Sequence, residues 1–110
     1  MERWFTARFR AESPETVAGI RKILESTNPE GYAACCAALR DTDLRASLAA
    51  IRVPTLVISG AHDPSTTPSD GRFLTENIAG ARYAELDAAH LSNIEDGENF
   101  SAEVSRFLAS

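Results

Sequence analysis

Asp63 and His90 are the residues of this 110-residue chain whose types and spacing suit acid–base chemistry. Each closely follows a stretch with the composition of a β-strand, and the two are 27 positions apart. A carboxylate that holds one imidazole nitrogen leaves the other nitrogen free to accept a proton. The pair therefore predicts an orienting acid and a general base.

This pair can meet only if the two stretches form neighbouring parallel strands. Residues 54–60 are an apolar, β-rich run, typical of a strand buried on both faces of a parallel sheet, and residues 81–87 predict a second strand. A helix that begins at Thr67-Pro68 and stops at Gly80 connects them, which makes a β-α-β crossover. The carboxyl ends of parallel strands lie at one edge of a sheet, so both side chains should reach that edge.

Further helices are predicted from capping residues followed by apolar periodicity. The caps are Ser13, Asn28 and Asp43, and the predicted helices cover 14–26, 29–39, 44–50 and a closing stretch from about Gly97. In the connecting helix, Phe73, Leu74 and Ile78 are expected to face inward. Helices followed by β-α-β-α indicate an α/β fold.

Two other features could carry chemistry. Cys35 and Cys36 are adjacent, which suits neither a disulfide nor a zinc site. They are expected to be small buried side chains of a helix, and an exposed redox pair is the alternative. His62 is a rival candidate base, but it precedes Asp63 directly and should point away from that residue's partner.

Charge and hydropathy exclude several classes of protein. The net charge is −5 and the basic residues are scattered, which argues against binding to nucleic-acid phosphates or to an anionic membrane. No apolar run approaches the roughly 18 residues of a membrane span, and residues 1–5 lack the features of a signal peptide. We therefore expect a cytoplasmic protein.

The predicted sheet is too small to be complete. Two parallel strands rarely form an independent sheet, and a strand with two apolar faces needs neighbours. Only 24 residues are Leu, Ile, Val or Phe, which makes a thin core. The chain therefore has the pattern of one end of a larger α/β sheet.

Four stretches of the sequence resemble those of known enzymes. Residues 51–60 followed by His62-Asp63-Pro64 resemble the acid-bearing strand and loop of α/β hydrolases, and residues 88–95 resemble their histidine loop. More specifically, Trp4-Phe5-Thr6, the segment from Gly31 to Asp41 and the stretch from His90 to Glu95 together resemble the 3-oxoadipate enol-lactonases of aromatic catabolism. The resemblance covers essentially the whole chain.

The resemblance implies roles for individual residues. Asp63 matches the acid of a catalytic triad and His90 its base, while residues 1–45 match the latter part of a helical cap and residues 46–110 the C-terminal part of the hydrolase core. Trp4 is a candidate for lining the pocket of a small lactone, and Arg3 or Arg8 for meeting the carboxylate of that substrate. No metal or organic cofactor is implied.

One departure from the family pattern affects activity. The family's nucleophile lies in a Gly-x-Ser-x-Gly motif, and no such motif occurs in the 110 residues. We expect the chain alone to be nearly inactive and a complementing N-terminal segment to carry the serine. Two alternatives stay open: an inactive fragment that self-associates as a homo-oligomer through strand edges, and part of another small-ester hydrolase of the same fold.

Overall fold

Six α-helices, one 3₁₀ helix and two β-strands make up the computed structural model, which describes residues 1–110. The helices are α1 (Ala7–Glu12), α2 (Pro14–Ser26), α3 (Pro29–Asp41), α4 (Pro68–Asn77), α5 (Ser92–Glu95) and α6 (Gly97–Leu108), with the 3₁₀ helix at Arg45–Ala50. The strands are β1 (Leu56–Gly60) and β2 (Arg82–Leu86). None of the helices is both long enough and apolar enough to cross a membrane.

The two strands form one parallel sheet, which confirms the predicted crossover. Ile58 lies opposite Ala84 in the register of the pair. Helix α4 covers one face, where Gly71 fits against Ser59. Helix α6 contacts both strands as well, and its Phe107 ring lies 5.6 Å from the Arg82 guanidinium. The sheet thus has a helix on each face, and the outer edges of β1 and β2 pair with no further strand.

The predicted caps are partly confirmed. Asn28 accepts a hydrogen bond from the Gly31 amide at the start of α3. Ser13 makes no side-chain capping bond to α2, and its backbone amide ends α1 by donating to the Phe9 carbonyl. Asp43 accepts from the Arg45 amide, but the element that follows is a 3₁₀ helix instead of an α-helix.

The core is small and leaves several predicted core residues exposed. Its buried apolar members are Phe5, Val17, Leu48, Ile78, Leu86, Ala88 and Ala89. The expected burial of Ile78 is confirmed, whereas Phe73 and Leu74 are exposed. Cys35 and Cys36 are also exposed, because no element of the chain covers that side of α3.

The prediction that β1 is buried on both faces is wrong for most of its length. Its first three residues are half-buried, and only Ser59 and Gly60 are buried. The reason is the open edge, where no third strand covers the apolar side chains. Helices α1 and α5 were not predicted, since six and four residues are too few to show a helical periodicity.

Candidate active site

The loops that follow β1 and β2 are held together at Gly60. The His62 amide donates to the Ala88 carbonyl at 3.0 Å, which extends the pairing beyond the strands. A Cβ atom on Gly60 would lie 2.6 Å from the Ala88 oxygen and would overlap the Ala89 oxygen. Only glycine allows this close approach, which brings the two loops side by side.

Asp63 and His90 meet across this junction. His90 Nδ1 lies 2.7 Å from Asp63 Oδ2, within hydrogen-bonding distance. The Asp63 side chain is buried, with 4% of its surface exposed, while 35% of the His90 side chain is exposed. The pair therefore has a buried acid and a ring that reaches solvent.

Backbone and hydroxyl donors surround the Asp63 carboxylate. Oδ1 accepts from the amides of Ser65 (2.8 Å) and Thr66 (3.2 Å), and Oδ2 accepts from the Thr66 hydroxyl (2.8 Å). Burial raises the pKa of Asp63, but the hydrogen bonds from His90, Ser65 and Thr66 outweigh it and hold the pKa below its usual value. The carboxylate is therefore ionised near neutral pH.

An ionised Asp63 determines the tautomer of neutral His90. A carboxylate can only accept, so Nδ1 must carry the proton that lies between them. Nε2 then has a free lone pair, and it makes no hydrogen bond within the chain. This nitrogen can take up a proton as a general base.

The pair opens onto a cavity of about 290 Å³ beside β1. Asp63 and His90 line it together with Val57, Ile58, Ser59, Gly60, Thr66, Asp70, Gly71, Leu74 and Ser92. Three of these eleven residues are apolar, namely Val57, Ile58 and Leu74, and the others are polar residues or glycines.

His62 belongs to a separate, exposed cluster. Its Nε2 lies 2.7 Å from Asp87 Oδ1, and Arg8 Nη1 lies 3.1 Å from the other oxygen of that carboxylate. The hydrogen bonds of His62 and then of Arg8 lower the pKa of Asp87. The structure thus does not bring His62 to Asp63, and it engages Arg8 with a carboxylate of the chain itself.

Trp4 and Arg3 lie at a second cavity, of about 410 Å³, which Leu24 and Tyr32 also line. None of the residues at that cavity lines the one beside His90. The structure therefore does not bring these two side chains together with the acid–base pair, and their contact with a substrate stays a prediction.

Two residues of the site were missed in the sequence. The Thr66 hydroxyl donates to Asp63. The sequence Asp-Pro-Ser-Thr could have indicated this contact, because an aspartate often accepts hydrogen bonds within the turn that it begins. Glu95 accepts from the Ala89 amide at 3.0 Å and from Thr6. That second contact spans 89 positions, and no local pattern predicts it.

Comparison with known proteins gives consistent matches over nearly the whole chain, although no family model matches it. The chain is 45% identical over 102 residues to 3-oxoadipate enol-lactonase 2 of Acinetobacter baylyi, which covers 93% of the chain and 38% of that protein. It is 40% identical over 108 residues to 3-oxoadipate enol-lactonase 1 of the same organism, covering 98% of the chain and 41% of that protein.

A solved structure shows the same relationship. The crystal structure of the enol-lactonase from Burkholderia xenovorans LB400 matches with a TM-score of 0.97 and 49% identity, covering 99% of the chain and 42% of that structure. The chain thus spans about 40% of the length of these relatives.

Proposed function

We propose that this chain, which has the α/β-hydrolase fold and corresponds to the C-terminal portion of the 3-oxoadipate enol-lactonases, supplies the acid and the base of a lactone hydrolase. Asp63 is the acid and His90 the base. The observation that carries the proposal is the 2.7 Å contact between a buried, ionised Asp63 and His90 Nδ1. It leaves His90 Nε2 as an unpaired base beside a cavity.

In the proposed reaction a serine oxygen attacks the carbonyl carbon of the lactone. His90 Nε2 takes the serine proton as the new carbon–oxygen bond forms, and Asp63 stabilises the imidazolium through Nδ1–H. The ring carbon–oxygen bond then breaks, and Nε2 returns the proton to the departing enol oxygen. The product of this first half of the reaction is an acyl-serine.

Hydrolysis of the acyl-serine uses the same nitrogen. His90 Nε2 takes a proton from water, the water oxygen forms a bond to the acyl carbon, and the bond to serine breaks as serine regains the proton. For the enol-lactone of 3-oxoadipate, the ring-opened enol becomes 3-oxoadipate by tautomerisation. His90 Nε2 therefore carries each proton of the two hydrolytic steps between the serine, the departing enol oxygen and water, while Asp63 transfers none.

The serine is proposed to lie in a segment that complements this chain. Residues 1–110 contain no Gly-x-Ser-x-Gly motif, and Ser59, the serine within β1, is buried in the strand. In the proposed arrangement, residues 1–45 form the latter part of a helical cap and residues 46–110 the C-terminal part of the hydrolase core. The relatives are more than twice as long, so their remaining length can hold such a segment.

A fusion tests the proposal. The 110 residues replace the matching region of A. baylyi enol-lactonase 2, so that the preceding part of that enzyme is joined to this chain. We expect the fusion to hydrolyse 3-oxoadipate enol-lactone and His90→Ala to lose at least about 1,000-fold in kcat. His62→Ala is the matched control and should keep full activity, because His62 pairs with exposed Asp87. Activity that survives His90→Ala would overturn the proposal.

A second candidate role is self-association without catalysis. It is favoured by the open edge of β1 and by the exposed side chains of Leu39, Leu44 and Phe73. Light scattering over a range of concentrations tests it. A mass that rises to that of a dimer supports this role, and a constant monomer mass contradicts it.

A further inference from the structure

Glu95, at the end of α5, joins the His90 loop to the N-terminal part of the chain. Its Oε2 accepts from the Ala89 amide at 3.0 Å, so it bonds the residue directly before His90. Its two oxygens also accept from the Thr6 amide at 3.3 and 3.2 Å, and Oε1 accepts from the Thr6 hydroxyl. A carboxylate that receives this many donors forms strong, charge-assisted hydrogen bonds.

The backbone on the other side of His90 is tied to the same N-terminal segment. The Leu91 amide donates to the Trp4 carbonyl at 3.0 Å. The amides before and after His90 are therefore both held, one through Glu95 to Thr6 and one directly to Trp4. Phe5, between those two anchors, is completely buried, which fixes the segment in place.

We propose that Glu95 is a positioning residue for His90, and that it acts by fastening the His90 loop to Trp4–Thr6. The inference rests on the proposed function of His90. Glu95 bonds only backbone and hydroxyl donors and does not line the cavity beside His90. Its effect on the ring is indirect: it fixes the backbone from which the side chain extends toward Asp63.

The proposal predicts a change in the ring itself. With the loop held, Nδ1 stays at Asp63 and carries the proton. Without the Glu95 bonds the loop can shift, and the ring samples orientations in which Nδ1 no longer faces the carboxylate. Neutral His90 should then populate the other tautomer, which has its proton on Nε2 and cannot act as a base there.

Nitrogen-15 NMR of the 110-residue chain measures this tautomer directly. Wild-type His90 should carry the Nδ1 proton predominantly, and Glu95→Gln should shift it toward the distribution of a free histidine. Glu98→Gln is the matched control, since Glu98 is exposed and makes no side-chain hydrogen bond. His62 in the same spectra should not change. A Glu95→Gln spectrum with the wild-type His90 tautomer would overturn the proposal.

A second variant covers the case in which Glu95→Gln unfolds. Thr6→Val removes the hydroxyl donor but keeps the Thr6 amide, so it should shift the His90 tautomer in the same direction by less. Thr6→Ser keeps both donors and should restore the wild-type spectrum. If Thr6→Val folds and leaves the His90 tautomer unchanged, the proposal is wrong.

Kinetics of the fusion enzyme separate this inference from the proposed function. Glu95→Gln should lower kcat by about tenfold or more with KM nearly unchanged, because a misplacement of about 1 Å can cost about 100-fold. If His90→Ala abolishes hydrolysis while Glu95→Gln keeps the wild-type kcat, the positioning role fails and the function stands. If His90→Ala stays active, the function fails whatever the tautomer of His90 is.

Discussion

Gly60 lies directly against the carbonyl oxygen of Ala89, so closely that a Cβ atom on Gly60 would overlap it. Gly60 ends β1 three residues before Asp63, and Ala89 precedes His90. The distance between the Asp63 and His90 side chains therefore depends on two backbones in contact, not on the side chains alone. The backbone contact at the end of β1 therefore sets the spacing between Asp63 and His90.

Replacing Gly60 should destabilise the chain and loosen the site. Gly60→Ala forces its methyl group into the Ala88 and Ala89 carbonyls, and overpacking of this kind costs about 1–3 kcal/mol. Urea unfolding measures the change in the free energy of unfolding. The matched control is Gly19→Ala in α2, where a Cβ meets nothing within 4 Å and helix propensity should add about 0.5–1 kcal/mol of stability. Equal stabilities for the two variants would contradict this account of the junction.

The stability contributed by Asp63 should depend on pH. Because the pKa of Asp63 is lowered in the folded chain, its ionised form stabilises the fold above the unfolded pKa of about 3.9. That contribution disappears as the pH falls through the lower folded pKa. The Asp63 contribution to the stability difference between wild type and Asp63→Asn should therefore be present at about pH 5 and shrink below about pH 4.

The control for this titration is Asp41→Asn. The Asp41 carboxylate pairs with Arg40 on the surface of α3, where an ion pair contributes little to stability. The free energy of unfolding of Asp41→Asn should stay close to that of wild type from neutral to acidic pH. A gap between wild type and Asp63→Asn that widens on acidification would show that Asp63 is protonated in the fold.

The two cysteines should react in the native chain. Cys35 and Cys36 are exposed on α3, so both should be modified by Ellman's reagent without denaturant. Cys35→Ser and Cys36→Ser should each leave one reactive thiol. Thiols that react only after urea is added would show that another surface covers this side of α3.

The meeting of Asp63 and His90 was predictable because it follows from the topology of the strands. An apolar run over 54–60 and a second strand over 81–87 leave a right-handed parallel crossover as the favoured connection, and parallel strands end at one edge. The structure confirms the strands and the meeting of Asp63 with His90. The comparisons confirm the α/β-hydrolase fold and the resemblance to enol-lactonases.

Two features could not be predicted from the sequence: the exposure of the cysteines on α3 and the hydrogen bonds between residues far apart in the chain. The apolar face of α3 indicated burial of Cys35 and Cys36, but periodicity identifies a face and not the element that covers it. The bonds between Glu95 and Thr6 join residues 89 positions apart. Such a contact depends on the folded positions of α1 and α5, which are too short to predict.

Two aspartates of the chain hold a histidine at the same distance, and they allow the most direct test. Asp63 Oδ2 lies 2.7 Å from His90, and Asp87 Oδ1 lies 2.7 Å from His62. The measurement is kcat for lactone hydrolysis by the fusion enzyme that carries Asp63→Asn or Asp87→Asn. We predict a loss of about 10⁴-fold for Asp63→Asn, because its amide no longer holds the tautomer in which Nε2 is the base, and nearly full activity for Asp87→Asn. Equal activity of the two variants would contradict the assignment of Asp63 and His90.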